Sequence, residues 1–224
     1  PIWCWGHRGS YRLGDGNPNS YSYAPVRINS NYEIYDLTAV SISAGGAHTC
    51  AIMIDSSTWC WGLNTAGQIG LGHTSSVSIN PQKVLFDEGQ NVVSISLGNT
   101  HSCALIENGT VWCWGENSHG QLGLGNNTNQ HLPVMVTLPV GRTATAISSG
   151  YEFTCAILDD GSVSCWGNND EGQLGDGTEV ERLSPATVIT PFGLDVIQIS
   201  SGWSSSCAVF DDGDIYCWGS NSYG

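Results

Sequence analysis

Cations are the scarcest feature of this chain. Six lysines and arginines face twenty aspartates and glutamates across 224 residues, a net charge of −14. A phosphate backbone is gripped by clustered cations, so a nucleic-acid partner is not expected. The same shortage argues against docking on anionic lipid. The acidity favours solubility and a basic partner. No apolar run approaches the ~20 residues that a membrane helix needs, so direct membrane insertion is not expected. An initiating Met and a leader pattern are also missing. The chain begins Pro1-Ile2-Trp3-Cys4, already inside a motif. It therefore reads as a segment of a longer protein, truncated at both ends, whose missing targeting signals carry no weight. No convincing helical periodicity, nucleophile elbow, phosphate loop or metalloprotease motif is found. Neither catalytic residues nor a cofactor or metal site is expected, and "LGLG" and "LGDG" read as turns.

What is abundant is glycine, 29 residues, in a recurring frame. Cys-Trp-Gly triplets begin at Cys4, Cys60, Cys113, Cys165 and Cys217, at intervals of 56, 53, 52 and 52 residues. Three copies extend to CWGxNxxGQ(L/I)GxG: "CWGLNTAGQIGLG", "CWGENSHGQLGLG" and "CWGNNDEGQLGDG". The first copy, "CWGHRGSYRLGDG", is degenerate, with Arg8 for the Asn, Tyr11 for a Gly and Arg12 for the Gln. Pro25, Pro81, Pro133 and Pro185 keep the phase, each followed three residues later by Ile28, Val84, Val136 or Val188. Alternating strings such as "VSISAG" then end in Gly45, Gly98, Gly150 and Gly202. Five residues beyond each lies a second cysteine.

Such strings alternate with period two, as half-buried strands do. "HTCAIMI" and "STWCWG" add two strands around a turn. A weaker fourth surrounds the Pro-x-x-Val element, where Pro suits an edge. Four short strands per repeat of about 52 residues define an all-β fold, a β-propeller of four-stranded blades.

Within each full unit the cysteines are ten positions apart: Cys50 and Cys60, Cys103 and Cys113, Cys155 and Cys165, Cys207 and Cys217. "ENG" and "DDG" suit a three-residue loop closed by Gly in a left-handed bulge position. If Asp159, Asp160 and Gly161 form that loop, Leu158 faces Ser162. Counting outward, Cys155 then faces Cys165 at a non-hydrogen-bonded site, with Cα atoms about 4.5 Å apart. A disulfide accepts that distance. Four cross-strand disulfides are therefore expected, against the alternative of small reduced core cysteines. Bridges imply an oxidising compartment: extracellular, cell-surface or periplasmic. Cys4 is the odd ninth, its expected partner ten residues upstream. In Trp112-Cys113-Trp114 strand alternation sends the cysteine toward its partner and both tryptophans to the other face, to fill the space between blades.

These residues resemble the regulator of chromosome condensation repeat family. Its unit likewise carries a Gly-x-x-His-(Ser/Thr) strand, a hairpin, and Trp-Gly-x-Asn-x-x-Gly-Gln-Leu-Gly-x-Gly. The match covers essentially the whole chain, as one repeat array over residues 1–224. The resemblance implies a propeller, usually of seven blades, of which four and a fraction units are present. The paired cysteines depart from the best-known nuclear members and look like variants in predicted secreted bacterial and archaeal proteins. The family's functions span nucleotide exchange on a small GTPase, chromatin binding, light sensing, β-lactamase inhibition and scaffolding, so the fold does not settle function.

Individual candidates are few. His48 and His101 precede hairpin cysteines by two positions and read as buried and hydrogen-bonded. His119 and His131 lie in turns without an obvious partner. The acidic residues Asp159, Asp160, Asp211, Asp212 and Asp214 at hairpin tips read as turn formers rather than calcium ligands. Asn108 and Asn126 begin glycosylation sequons. The degenerate first unit holds Tyr11, Tyr21, Tyr23, Tyr32 and Tyr35, five of eight tyrosines. With Arg12, three of these, Tyr11, Tyr21 and Tyr23, form a candidate protein interface, since Tyr and Arg are enriched at hot spots. The expected function is a non-enzymatic extracytoplasmic propeller that binds or scaffolds proteins, as a domain or subunit of a surface assembly. One alternative is a polysaccharide-acting enzyme with acidic, His or Arg side chains at one mouth of the channel. Another is a secreted enzyme inhibitor that presents an exposed aromatic patch on loops.

Overall fold

A computed structural model describes residues 2–17, 19–28, 38–191 and 193–222. Tyr32 and Tyr35 lie outside the described residues. The elements, in chain order, are β1 (Trp3–His7), a 3-10 turn (Gly9–Tyr11), β2 (Tyr21–Arg27), β3 (Ala39–Ala44), β4 (His48–Met53), β5 (Thr58–Asn64) and β6 (Ser75–Lys83). They continue with β7 (Val92–Leu97), β8 (His101–Ile106), β9 (Val111–Gly115), β10 (Gln130–Met135), β11 (Ala144–Ser149), β12 (Phe153–Leu158), β13 (Val163–Gly167) and β14 (Arg182–Thr187). β15 (Val196–Ser201), β16 (Ser205–Phe210) and β17 (Ile215–Gly219) complete the set.

These strands form three antiparallel four-stranded sheets, β3-β4-β5-β6, β7-β8-β9-β10 and β11-β12-β13-β14. β1-β2 forms a two-stranded sheet before them and β15-β16-β17 a three-stranded one after. Each four-stranded sheet is one blade of the expected kind. The prolines sit in β2, β6, β10 and β14, the last strand of each ladder, where a missing N–H costs nothing. A unit counted from Cys-Trp-Gly therefore straddles two sheets.

The hairpin arithmetic holds. Leu158 N–H donates to Ser162 C=O at 2.8 Å, and Gly161 N–H to Leu158 C=O at 3.0 Å, with Gly161 at φ +76°. Cys155 is the register partner of Cys165. Disulfides join Cys50–Cys60, Cys103–Cys113, Cys155–Cys165 and Cys207–Cys217, each with Cα atoms 4.1 Å apart. In the first full hairpin Ser56 replaces the glycine and takes φ +63°. Cys4 is unpaired and half-buried, and its thiol is pushed up to about 11 by burial and then by Asp15.

The core is divided into layers between sheets. Trp114 of the second full blade shares a buried cluster with Cys50, Cys60, Ile69 and Val84 of the blade before it. Trp166 does the same with Cys103, Cys113 and Leu122, and Trp218 packs against Cys155, Cys165 and Leu174. One blade thus offers its disulfide face and the next its tryptophan face, as strand alternation requires. Trp112 is partly buried on the same side as Trp114.

A backbone carbonyl seals each layer. Trp114 Nε1 donates to Gln68 C=O at 2.9 Å, and Ser102 Oγ donates to the same oxygen at 2.8 Å. Gln121 C=O accepts Trp166 Nε1 and Thr154 Oγ1, both at 3.0 Å. Gln173 C=O accepts Trp218 Nε1 at 2.9 Å and Ser206 Oγ at 3.1 Å. The turn holding this carbonyl is braced from within. Asn117 Oδ1 accepts the Leu122 N–H, while Gln121 Oε1 accepts the His119 N–H, both at 2.9 Å. Two glycines of the motif are fixed by space. Gly115, at φ +105°, would place a Cβ 2.5 Å from the Thr100 carbonyl oxygen. Gly123, at φ +71°, would place one 2.8 Å from Trp166 Nε1.

Candidate functional site

In an antiparallel blade, alternate connections lie at opposite ends. One rim carries the hairpin tips at Asp55, Asn108, Asp160 and Asp212. The other carries the loops after the first and third strands, including the Asn-x-x-Gly-Gln turns.

Side chains at the hairpin rim serve their own turns. Asp160 Oδ1 accepts Ser162 Oγ at 2.6 Å, and Asp55 does the same with Ser57. Those hydroxyl bonds hold both carboxyls below their usual range, with Arg142 adding to the effect at Asp160 and Lys83 at Asp55. Asp212 Oδ1 accepts the Asp214 N–H at 2.9 Å. Asn108 is exposed, with Oδ1 accepting Thr110 Oγ1 at 2.7 Å; Asn126 is exposed on the opposite rim. Among the described residues no three His, Cys, Asp or Glu side chains converge as a metal site would require.

The buried histidines are locked as frame elements. His48 Nε2 lies 2.9 Å from Ser102 Oγ, and His101 Nε2 lies 2.9 Å from Thr154 Oγ1. Each hydroxyl spends its hydrogen on the Gln68 or Gln121 carbonyl. The imidazole must therefore donate to the hydroxyl, the reverse of what a general base activating a nucleophile does. Burial pushes His48 down to about 3, with His101 adding to the effect, and burial alone pushes His101 down to about 4.

In the degenerate first unit, Tyr11 (φ +58°) lies in the 3-10 turn and is half-buried. Arg12 is committed to the frame. Its guanidinium donates to Gly9 C=O at 2.7 Å and Gly46 C=O at 2.5 Å. Its own carbonyl accepts Trp61 Nε1 at 3.0 Å and Thr49 Oγ1 at 2.8 Å, as the glutamine carbonyls do elsewhere. Arg8 replaces the bracing Asn through a 2.9 Å ion pair with Asp15. Tyr21 and Tyr23 lie on one face of β2, two residues apart, with rings stacked at 6.4 Å. His7 meets Tyr21 edge-on at 5.0 Å, and Tyr23 is 96% exposed.

The opposite rim holds residues that the sequence reading passed over. Gly46, Asn99, Tyr151 and Trp203 each follow the glycine that ends a blade's first strand. A relay crosses the blades here: Gly46 N–H donates to Gly98 C=O, Asn99 N–H to Tyr151 C=O and Tyr151 N–H to Gly202 C=O. Tyr151 and Trp203 stack nearly parallel, 3.9 Å apart and inclined by 14°, with Trp203 70% exposed. One side of this pair meets a hollow lined by glycines, Asn99 and Ser149. The other closes a cavity of about 200 Å³ with Glu152, Asp170, Glu171, Asn168 and Gln173. His119, without an obvious partner in the sequence, lies 3.6 Å from Glu152 and 3.4 Å from Glu181 on this rim. The signal was available: this one position runs Gly, Asn, Tyr, Trp while the glycine before it never changes.

Four-stranded sheets stacked in chain order, each tied to the next by tryptophan and a backbone carbonyl, define a repeat-built β-propeller. The family model for the RCC1-like domain matches residues 1–224, and the chain belongs to that family. It is 32% identical over 222 residues to the ultraviolet-B receptor UVR8 of Arabidopsis thaliana, covering 99% of this chain and 49% of that protein. It is 30% identical to the human E3 ubiquitin-protein ligase HERC2, covering all of this chain and 5% of that one. The chain thus spans half or less of these relatives. Yeast RCC1 (Prp20), solved bound to Kap60, superposes with a TM-score of 0.82 at 27% identity, over 98% of this chain and 52% of that one. Human WBSCR16 superposes at 0.86 with 23% identity, over 97% and 56% respectively, which speaks for the fold.

Proposed function

We propose that this chain is part of a non-enzymatic, extracytoplasmic protein-binding propeller, a domain or subunit of a surface or extracellular assembly. A full ring of seven such blades completes the reading. The observation that carries the binding role is the pair of tyrosine rings on β2, Tyr21 and Tyr23, stacked 6.4 Å apart in the unit that departs most from the repeat. Tyrosine offers large contact area at low entropic cost. Yeast RCC1 bound to Kap60 supports a protein partner for this fold. The four bridges support an oxidising compartment.

The test is a Tyr21→Ala/Tyr23→Ala double variant of the full-length protein, compared with wild type by quantitative capture from the native extracellular fraction. The expected result is loss of the captured partner, an affinity change of about 2 kcal/mol or more, with an unchanged melting temperature. Identical capture by both proteins would overturn the tyrosine interface.

A further inference from the structure

The opposite rim carries a second surface of different chemistry, independent of the tyrosine stack. We propose that Tyr151 and Trp203, with Glu152, Asp170 and Glu171, form a docking site for an arginine side chain of a basic partner protein.

Charge is the first argument. The β11–β12 and β13–β14 loops on this rim carry six acidic residues, Glu152, Asp170, Glu171, Asp176, Glu179 and Glu181, beside one cation, Arg182. Arg182 is already spent on Asp176, at 2.6 Å. Asp170 bonds Asn168 through one oxygen, and among the described residues the Glu152 carboxylate pairs with His119 alone. The Glu171 carboxylate is exposed and makes no hydrogen bond to the described residues. The rim therefore concentrates carboxylates that the chain itself leaves without a full cation. A second copy of this acidic chain would be repelled, whereas a basic protein would be drawn in.

Shape is the second. The carboxylates share their cavity with the stacked rings, and Trp203 leaves most of its indole uncovered. A cation over an indole face is attracted by the ring quadrupole. Two parallel rings present a flat platform rather than the walls of a cage. A flat platform suits a planar guanidinium, whose edge can meet a carboxylate bidentately while its face lies on the ring. A quaternary ammonium prefers to be enclosed by several rings at once. The cavity of about 200 Å³ has room for one side-chain head, not for a folded element.

The probe is a fluorescent nonapeptide with three arginines spaced by Gly and Ser, beside versions carrying lysine, trimethyllysine or citrulline. Binding to the full-length protein is read by anisotropy at about 0.15 M salt, where screening reaches ~8 Å. The arginine peptide should bind more tightly than the lysine peptide, and the citrulline peptide should not bind. Trp203→Ala should weaken the arginine peptide roughly five- to tenfold and the lysine peptide less. Glu171→Gln should weaken both. Tyr23→Ala should change neither, which separates this site from the tyrosine interface. Equal arginine and lysine binding untouched by Trp203→Ala would overturn the proposal in favour of diffuse charge. Tighter binding of trimethyllysine would replace it with an ammonium site, and no binding of the arginine peptide would also overturn it.

Discussion

Replacing Trp114 with Ala should unfasten one layer between two blades, and the structure says how costly that is. The side chain is fully buried, lies against the Cys50–Cys60 bridge, Ile69 and Val84, and meets Phe86 edge-on at 5.5 Å. Truncating a buried Trp costs roughly 3–5 kcal/mol, most of it lost contact and the cavity left behind. The Nε1 bond adds little, because Gln68 C=O keeps Ser102 as a donor and is not orphaned. Trp114→Phe should therefore cost less than half as much. Val140→Ala, at a fully exposed position in the loop after β10, should cost under about 0.5 kcal/mol. For a chain of this size 1 kcal/mol moves the melting temperature by about 2–4 °C, so the three variants separate in a thermal melt. Urea titration gives the same ranking as a second readout. The reasoning fails if Trp114→Ala and Val140→Ala melt together, since the stacking of disulfide against tryptophan would then hold nothing.

Intact mass with and without reductant should differ by about eight hydrogens, two for each bridge; equal masses would remove the basis for an extracytoplasmic setting. Replacing Cys103 and Cys113 together with Ser should cost roughly 2–3 kcal/mol on the loop-entropy model, checked by denaturant midpoint. His48 and His101 are depressed in the folded state, to about 3 and about 4, so the unfolded chain takes up their protons first on acidification. Their contribution is complete above about pH 6.5 and is lost as pH falls toward 4, and His48→Gln should flatten that part of a stability–pH curve. Gly123→Ala should destabilise by more than Gly141→Ala: both have positive φ, but only the first meets an indole, 2.8 Å away, while the second meets nothing within 4 Å. Melting temperatures of the two variants decide it.

The blade was legible because its markers are covalent or periodic. Cys155 and Cys165 could be placed opposite each other from the "DDG" loop alone, since register in a hairpin follows from the turn. Trp114 could be assigned to the face opposite Cys113 from alternation alone. The partner of its indole could not, because it is a backbone carbonyl, and every residue owns one. Arg12 shows the difficulty: its side chain breaks the motif and suggests an interface, while its carbonyl performs the motif's task. His119 had no visible partner because Glu152 and Glu181 belong to the following blade, 33 and 62 residues away. Tyr151 and Trp203 were hidden by variation at their own position, where a search for recurrence finds nothing recurrent.

Joining blades through a carbonyl oxygen has an evolutionary consequence. No point mutation deletes a main-chain oxygen, so the joint can outlast a change of side chain, as it survives arginine at position 12. Rim positions beside the joint are then free to diverge blade by blade without loosening the stack of blades. A molecule assembled from near-identical parts can in this way display a face on which no two sectors match, and a new ligand can be accommodated by editing one sector while the others continue to hold the shape.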